Sequence, residues 1–388
     1  MKPVTIAIVA ACPYPTWQGS QVLIRQMAEA LSRRGHNVHV VTYGYGEYEL
    51  THEYRVHRVP ELPFSNGFRS GPSAGKLLLD LLLAIKLFSV VRHEGIEIIH
   101  AHNYEAVFSS FPASRILGVP LVYHSHTILS RELFTYFDSV LLRDFSKRLA
   151  PLIDALTLRL ADHLIAVSEE EMEFFAASGK NPGVCTLLPP GIVIEGTAAG
   201  TASEEENTLC YMGNLDIYQD LDTLFRALKI ASGKVKGIRL YIVTRSDWSA
   251  CVKRIGEMGL SGRVSFERPA TFEDALSVLR KSNIAVITRN VPSGFPIKLL
   301  NYMACGKAII ASRSAAKALR YEECACIVED GDAEGLAGAI TNLLEDEVLR
   351  AGLGLRAQNL AAQQYDWDSR AEQLESVYSR LLGRTTAV

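Results

Sequence analysis

The most specific chemistry in this sequence lies in a loop and short helix at residues 292–307. The segment opens with proline and glycine, becomes helical in pattern, and ends at Gly306 before the apolar run 308–311. The N-terminus of such a helix presents free backbone N–H groups and the positive end of the helix dipole. Lys298 lies in the predicted first turn, where a cation is disfavoured unless an anion neutralises it. The segment therefore predicts a site for an anionic ligand, and a diphosphate fits it best.

Four histidines form two pairs at the carboxyl ends of two predicted strands. His100 and His102 follow one strand, and His124 and His126 follow the next. Ligands of open α/β sheets bind at the carboxyl ends of the strands, so at least one of these histidines is a candidate for ligand contact. The alternatives are a capped strand end for His126 and a hydrogen bond to a loop carbonyl for His102.

Short apolar strands alternate with amphipathic helices along most of the chain, which predicts parallel sheets with helices on both faces. Strands are predicted in the first half at 4–10, 38–42, 55–59, 97–100, 121–123 and 164–168. In the second half they are predicted at 208–212, 239–244, 263–266, 284–288, 308–312 and 326–328. The fold class is therefore α/β.

A change of composition divides the chain into two halves. Residues 189–207 contain Pro-Pro-Gly, a run of Gly, Thr, Ala and Ser, and three glutamates, which is typical of a linker. A length of 388 residues also suggests two domains, at roughly 100–200 residues each. We predict a Rossmann-like domain at 1–190, a linker at 191–207 and a second Rossmann-like domain at 208–364, with the two parallel sheets facing a central cleft.

Composition and charge exclude several classes of protein. The net charge of −3 provides no electrostatic case for nucleic acid. The apolar run 4–10 is short and has no small-residue cleavage site after it, so it predicts a strand and not a signal peptide. No uncharged stretch approaches the roughly 18 residues of a membrane span. Seven scattered cysteines without zinc spacing indicate reduced thiols in a cytoplasmic protein, with no metal site expected.

Several motifs, taken together, resemble those of a known enzyme family. They are PYPTWQGS at 13–20, RRGHNVHV at 33–40, HAHN at 100–103, LVYHSHT at 121–127, DHLIAVS at 162–168 and YMGNL at 211–215. With these and the segment at 292–307, the chain resembles the retaining glycosyltransferases of family 4, which have the GT-B fold. The GFPIKLLNYMACG run at 294–306 is similar to a bacterial sub-branch of that family.

The resemblance implies transfer of a sugar from a nucleotide-diphosphate sugar, with UDP-sugar favoured and GDP-sugar possible. The anomeric configuration would be retained, and neither a metal nor another cofactor would be needed. The nucleotide sugar would bind to 208–364 and the acceptor to 1–190, and a C-terminal helix at 365–388 would cross back to the first domain. In the front-face mechanism proposed for the family, the leaving phosphate accepts the proton of the acceptor.

The resemblance also assigns roles to individual residues. His126 matches a histidine that reaches the donor sugar, and Lys298 is the second candidate for a catalytic role. The loop at Gly19 would close over the donor phosphates. Gly294 and Phe295 would contact the donor through backbone N–H groups, with Pro296 and Ile297 beside them.

Four positions depart from the family pattern. Two glutamates of typical members are replaced by Ser293 and Asn301, and an arginine and a lysine that bind the diphosphate are replaced by Asn214 and Gln219. Asn301 retains hydrogen-bonding capacity without charge. Our hypothesis is that Lys298 and Arg289 neutralise the diphosphate instead, with Arg245 as a third candidate.

The acceptor side is less specific. His102, Arg131 and Glu132 are candidates for acceptor contact. The helical stretches 74–92 and 138–160 are apolar and carry several lysines and arginines, a pattern that suits an anionic membrane surface and a lipid-linked acceptor. The alternative is a pair of ordinary core helices with solvated basic faces.

We therefore predict a glycosyltransferase that acts on a lipid or glycan acceptor in bacterial envelope glycan or glycolipid synthesis. It would work in the cytoplasm, with possible peripheral contact to the inner face of the cytoplasmic membrane. Two alternatives remain open: a nucleotide-sugar epimerase or hydrolase on the same fold, and a non-catalytic nucleotide-sugar-binding scaffold or subunit.

Overall fold

The computed structural model describes residues 2–16, 19–46, 53–62, 74–137, 139–193, 204–290, 295–316 and 322–383. The chain divides into two compact units. The first unit comprises Met1–Gly191, Ser293–Phe295 and Trp367–Val388. The second unit comprises Ile192–Pro292 and Pro296–Asp366.

The first unit is built on a sheet of seven parallel strands in the order β3-β2-β1-β4-β5-β6-β7. The strands are β1 Thr5–Ala10, β2 Asn37–Thr42, β3 Arg55–Arg58, β4 Ile98–His102, β5 Leu121–His124, β6 His163–Ala166 and β7 Cys185–Leu187. The central strands are mostly apolar, apart from the histidines of β4 and β5, and are almost completely buried, as expected of a parallel sheet covered on both faces.

Helices connect these strands, and their ends follow local sequence signals. They are α1 Gly19–Arg33, α2 Ala74–Glu94, α3 Asn103–Leu117, α4 Leu129–Glu132, α5 Val140–Leu160 and α6 Glu169–Ala177. Helix α3 ends at Gly118, which has a φ of 68° that a glycine adopts without strain. Helix α6 begins after Ser168, whose side chain accepts the N–H of Glu171.

The second unit contains six parallel strands in the order β10-β9-β8-β11-β12-β13. The strands are β8 Thr208–Met212, β9 Arg239–Val243, β10 Val264–Glu267, β11 Ile284–Ile287, β12 Ala308–Ser312 and β13 Ala325–Val328. Its helices are α7 Leu221–Ala231, α8 Ser249–Glu257, α9 Phe272–Lys281, α10 Ile297–Ala304, α11 Arg313–Ala316, α12 Ala333–Glu345 and α13 Glu347–Gln364.

The last helix, α14 Trp367–Leu381, belongs to the first unit. Trp367 donates its Nε1–H to Gln26 Oε1 at 3.0 Å, so the start of α14 lies on α1. Glu375 receives two hydrogen bonds from Arg34, at 2.7 and 3.1 Å. Tyr378 is fully buried, and its hydroxyl lies 2.7 Å from His100 Nδ1.

The prediction of two Rossmann-like halves with parallel sheets is confirmed. Every strand predicted from the sequence occurs, and the bounds of two of them, β8 and β12, are the predicted ones. The additional strand, β7, was not predicted because its three half-buried residues are too short a run to stand out.

Candidate functional site

A polar cluster lies at the carboxyl ends of two adjacent strands of the second unit. Strand β8 is followed directly by Gly213 and Asn214, and strand β11 is followed closely by Arg289. The first turn of α10 brings Lys298 to the same place, because its ammonium contacts Tyr211 at the end of β8. This is the edge at which open parallel sheets bind their ligands.

Lys298 is the central cation of this cluster. Its Nζ donates to the hydroxyl of Tyr211 and to Oε1 of Gln219, both at 2.8 Å, and lies 4.2 Å from the centre of the Tyr211 ring. Within the described part of the chain, none of the ion pairs includes Lys298. Burial lowers the pKa of Lys298 well below its ordinary value of 10.5, and the positive charge of Arg289 lowers it further. A bound anionic ligand would favour the charged form of Lys298 and so raise its pKa again.

The position of Lys298 depends on a glycine. Gly213 has a φ of +143°, and a Cβ at this residue would lie 2.9 Å from Lys298 Nζ. A larger residue would therefore combine an unfavourable backbone conformation with displacement of the ammonium group.

The two amides at Asn214 and Gln219 bind each other. Gln219 donates its Nε2–H to Asn214 Oδ1 at 2.8 Å, and Asn214 donates to Asp216 at 2.7 Å and to the hydroxyl of Tyr218 at 3.1 Å. Burial raises the pKa of Asp216 above its ordinary value. Gln219 thus donates to Asn214 and accepts a hydrogen bond from Lys298.

Arg289 supplies the second positive charge. Its guanidinium group lies 5.3 Å from the centre of the Tyr218 ring, and its backbone N–H donates to Ser312 Oγ at 2.8 Å. The ring contact and the backbone bond fix Arg289 in place, and its positive charge acts on Lys298. Arg245, the third candidate cation, is exposed just beyond the end of β9.

The start of α10 is partly described. The helix begins at Ile297 after Pro296, and the carbonyl of Pro296 accepts the N–H of Leu299 at 2.8 Å. Phe295 and Asn301 are buried. Ser293 and Gly294 lie outside the described residues.

In the first unit, the four histidines contact one another. His100 Nε2 lies 3.0 Å from His124 Nδ1, and His102 Nδ1 lies 2.8 Å from His126 Nε2. Burial lowers the pKa of His100 to about 3 and that of His126 to about 4, so both are neutral at pH 7. The alternative in which His102 hydrogen-bonds a loop carbonyl is wrong, because the adjacent strands β4 and β5 place its ring against the other histidines.

Three of these rings bring nitrogen atoms close together. One ring nitrogen from each of His100, His102 and His124 lies within 4.8 Å of the others, a group of atoms that could hold a metal ion. The rings of His100 and His102 are stacked at 14° with centres 4.9 Å apart, those of His102 and His124 at 26° and 4.8 Å, and those of His100 and His124 are tilted by 40° at 5.2 Å.

The remaining candidates lie on helices of the first unit. Gly19 is the exposed first residue of α1. Arg131 and Glu132 lie in α4, where Arg131 forms an ion pair with Glu170 and Glu132 accepts a hydrogen bond from Tyr136. The start of α4 is held by Asp154 of α5, whose carboxylate accepts the N–H of Leu129 at 3.2 Å.

Sequence reasoning did not assign a role to Tyr211, Asp216 or Tyr218. All three contact residues of the cluster around Lys298. The signal available was that all three lie within five positions of Gly213, at the end of a predicted strand. Ring contacts that span more than 70 residues, such as that between Arg289 and Tyr218, leave no local pattern.

Two models of known protein families match this chain. Residues 17–195 match the family model Glycosyltransferase Family 4, and residues 206–346 match the model Glycosyl transferases group 1. The chain is a glycosyltransferase. The two matches support a place in family 4.

Individual relatives of the glycosyltransferase are distant but extend over almost its whole length. It is 23% identical to the phosphatidyl-myo-inositol mannosyltransferase of Mycolicibacterium smegmatis, over 96% of this chain and 93% of the relative. The sucrose-phosphate synthase of Thermosynechococcus elongatus has a TM-score of 0.81 at 20% identity, covering 98% and 99% of the two chains. Anabaena HepE in complex with UDP-glucose has a TM-score of 0.75 at 19% identity, covering 97% and 99%. These structural similarities show the GT-B fold.

Proposed function

We propose that the glycosyltransferase takes its sugar from a UDP-sugar, retains the anomeric configuration and needs no metal. The observation that carries the proposal is that Lys298, in the first turn of α10, contacts the end of β8 at Tyr211 and lies close enough to Arg289 for that charge to lower its pKa. Two positive charges near one helix N-terminus would neutralise the negative charge of a diphosphate, as a bound metal ion does in other enzymes.

The chemistry follows from these groups. Breaking the bond between sugar and diphosphate leaves additional negative charge on the phosphate, which Lys298 and Arg289 would stabilise. The leaving phosphate accepts the proton of the acceptor hydroxyl on the same face of the sugar, so no enzyme nucleophile is required. His126, neutral at pH 7, would hydrogen-bond the donor sugar without introducing a competing positive charge. The UDP-glucose complex of HepE supports uridine as the base.

The acceptor is proposed to be a lipid or a lipid-linked glycan used in bacterial envelope synthesis, at the cytoplasmic face of the membrane. The relative named phosphatidyl-myo-inositol mannosyltransferase supports a lipid acceptor. His102, Arg131 and Glu132 are the proposed residues on the acceptor side. The bacterial sub-branch with the segment at 294–306 is part of the same proposal.

A thermal-shift screen against UDP- and GDP-sugars tests the donor. A true donor at a hundred times its dissociation constant should add about 2.7 kcal/mol to the free energy of unfolding. The selected donor is then incubated with and without membrane lipid extract, and the anomeric configuration of the product is determined by NMR. Donor turnover that is equally fast without any acceptor would indicate a hydrolase, and an inverted product would refute the retaining mechanism.

A further inference from the structure

Helix α5 presents an apolar stripe to solvent. Leu141 is 82% exposed, Phe145 62% and Leu152 68%, and Leu149 and Leu156 are also exposed. These five residues follow one another at intervals of four, four, three and four, so they lie on one face of the helix. We call this set the α5 stripe.

The α5 stripe is not part of the protein core. A different face of α5 packs inward through its buried residues Ser146, Ala150, Asp154, Thr157 and Leu158. The alternative in which this is an ordinary core helix with a solvated basic face is therefore wrong for α5, because a second apolar face lies in water. A contiguous exposed apolar surface of this kind marks an interaction site.

The charges around the stripe indicate the chemistry of the partner. Four exposed cations lie on α5, namely Arg143, Lys147, Arg148 and Arg159, against one exposed carboxylate, Asp144. The whole chain carries a net charge of −3, so this excess of positive charge is local. Two copies of such a helix would repel each other, whereas a surface of anionic headgroups over an apolar interior would complement both features.

Helix α2 also presents apolar side chains to solvent. Leu77, Leu78, Leu81 and Ile85 are exposed at one side of it, and Arg92 is exposed near its end. Both α2 and α5 pack against α3. None of the described helices is both long and apolar enough to cross a bilayer.

We propose that α5 docks in the plane of an anionic lipid surface and holds the acceptor-side helix α4 at that surface. The link is Asp154, which is 7% exposed and accepts the N–H groups of Leu129 and Ser130 at 3.2 and 2.9 Å. These two N–H groups begin α4, which carries Arg131 and Glu132. The acceptor is then a lipid resident in the membrane, a conclusion that rests on the proposed transferase function.

Vesicle co-sedimentation of the full chain tests the docking surface. Phosphatidylcholine vesicles with and without phosphatidylglycerol are compared at low and high salt. The protein should bind the anionic vesicles and be released by salt. The double variant Phe145→Gln with Leu152→Gln should lower the partition coefficient about a hundredfold, because each apolar side chain withdrawn from water contributes about tenfold.

The matched control is the double variant Val348→Gln with Leu355→Gln. These residues of α13 are 84% and 59% exposed and belong to the second unit, whereas the α5 stripe belongs to the first. The control should bind vesicles like the unmodified protein. Because all four positions are exposed, both variants should fold, which melting temperatures would verify.

Three outcomes would overturn the docking proposal. They are equal vesicle binding by the stripe variant and its control, no binding of the unmodified protein to anionic vesicles, and a dimer in sedimentation velocity that the stripe variant alone abolishes. UDP affinity measured without vesicles separates this from the transferase proposal. Intact UDP binding with failed vesicle binding refutes the docking alone, and the reverse result leaves the membrane surface supported while refuting the donor site.

Discussion

Replacement of Lys298 by alanine is the sharpest test of the donor site. In the free protein the ammonium has two neutral acceptors, Tyr211 and Gln219, and among the described ion pairs it has no carboxylate partner. Lys298 is therefore held in a position where a bound anion would supply its negatively charged partner. The variant removes one positive charge from the site and leaves Arg289 in place.

The expected magnitude follows from these contacts. A hydrogen bond to a charged group contributes about 1.5–3 kcal/mol, and a factor of ten in affinity corresponds to about 1.4 kcal/mol. Lys298→Ala should thus raise the dissociation constant of UDP by roughly 10- to 150-fold. The effect on folding should be small, because the loss of a donor for Gln219 and Tyr211 is offset by relief of a partly desolvated charge.

Isothermal titration calorimetry with UDP measures this directly. The control is Lys229→Ala, which removes the same charge from an exposed position in the last turn of α7. Uridine, which lacks the diphosphate, provides a second comparison, and its affinity should be the same for both variants. Equal UDP affinities of Lys298→Ala and Lys229→Ala would refute the assignment of Lys298 to the diphosphate.

Three further predictions concern pH and backbone geometry. Because the pKa of Lys298 is lowered in the free protein and an anion favours its charged form, UDP affinity should fall by up to about tenfold per pH unit once the pH exceeds that lowered pKa. Calorimetry between neutral and alkaline pH would show this, and Lys298→Arg should remove the dependence. Gly213→Ala should cost about 1–3 kcal/mol of strain and weaken UDP binding, measured by urea unfolding and calorimetry, whereas an unchanged affinity would contradict the close approach to Lys298. His126 has a folded pKa of about 4 against an ordinary 6.5, so its contribution to stability is complete above pH 6.5 and is lost as the pH falls toward 4. The free energy of unfolding of His126→Gln, measured with urea, should therefore change with pH less steeply than that of the unmodified protein, by about 1.4 kcal/mol per pH unit in that range. Parallel curves for the two proteins would be evidence against a buried neutral histidine.

The alternation of apolar strands and amphipathic helices was sufficient to predict the fold. Strands such as β8 and β12 are short apolar runs between turn residues, and burial on both faces of a parallel sheet requires just that pattern. Helix α10 was equally predictable, since the proline before its first turn and Gly306 after its last turn are local signals. Local sequence determines such features because each depends on neighbouring residues.

The candidate site itself required the tertiary structure. Lys298 and Gln219 are 79 positions apart, and nothing near either residue shows that one accepts a hydrogen bond from the other. The four histidines were recognised as strand-end residues, but their mutual contacts depend on the register between β4 and β5. In the fold Lys298 is half-buried and its pKa is lowered, and neither property can be read from the residues next to it in the sequence.

The sequence by itself determined the α/β class, the family resemblance and the residue types available to bind a diphosphate. It left two interpretations of the apolar basic helices, a membrane surface or an ordinary core. Periodicity can show that a helix has apolar faces but not which of them meets another part of the chain. The packing of α5 excludes the ordinary core for this helix, because it buries Ala150 and Leu158 while leaving Leu141, Phe145 and Leu152 in water. Docking of that exposed face on a membrane is our proposal. Burial is a property of the whole fold, because it depends on which distant segments cover a given face.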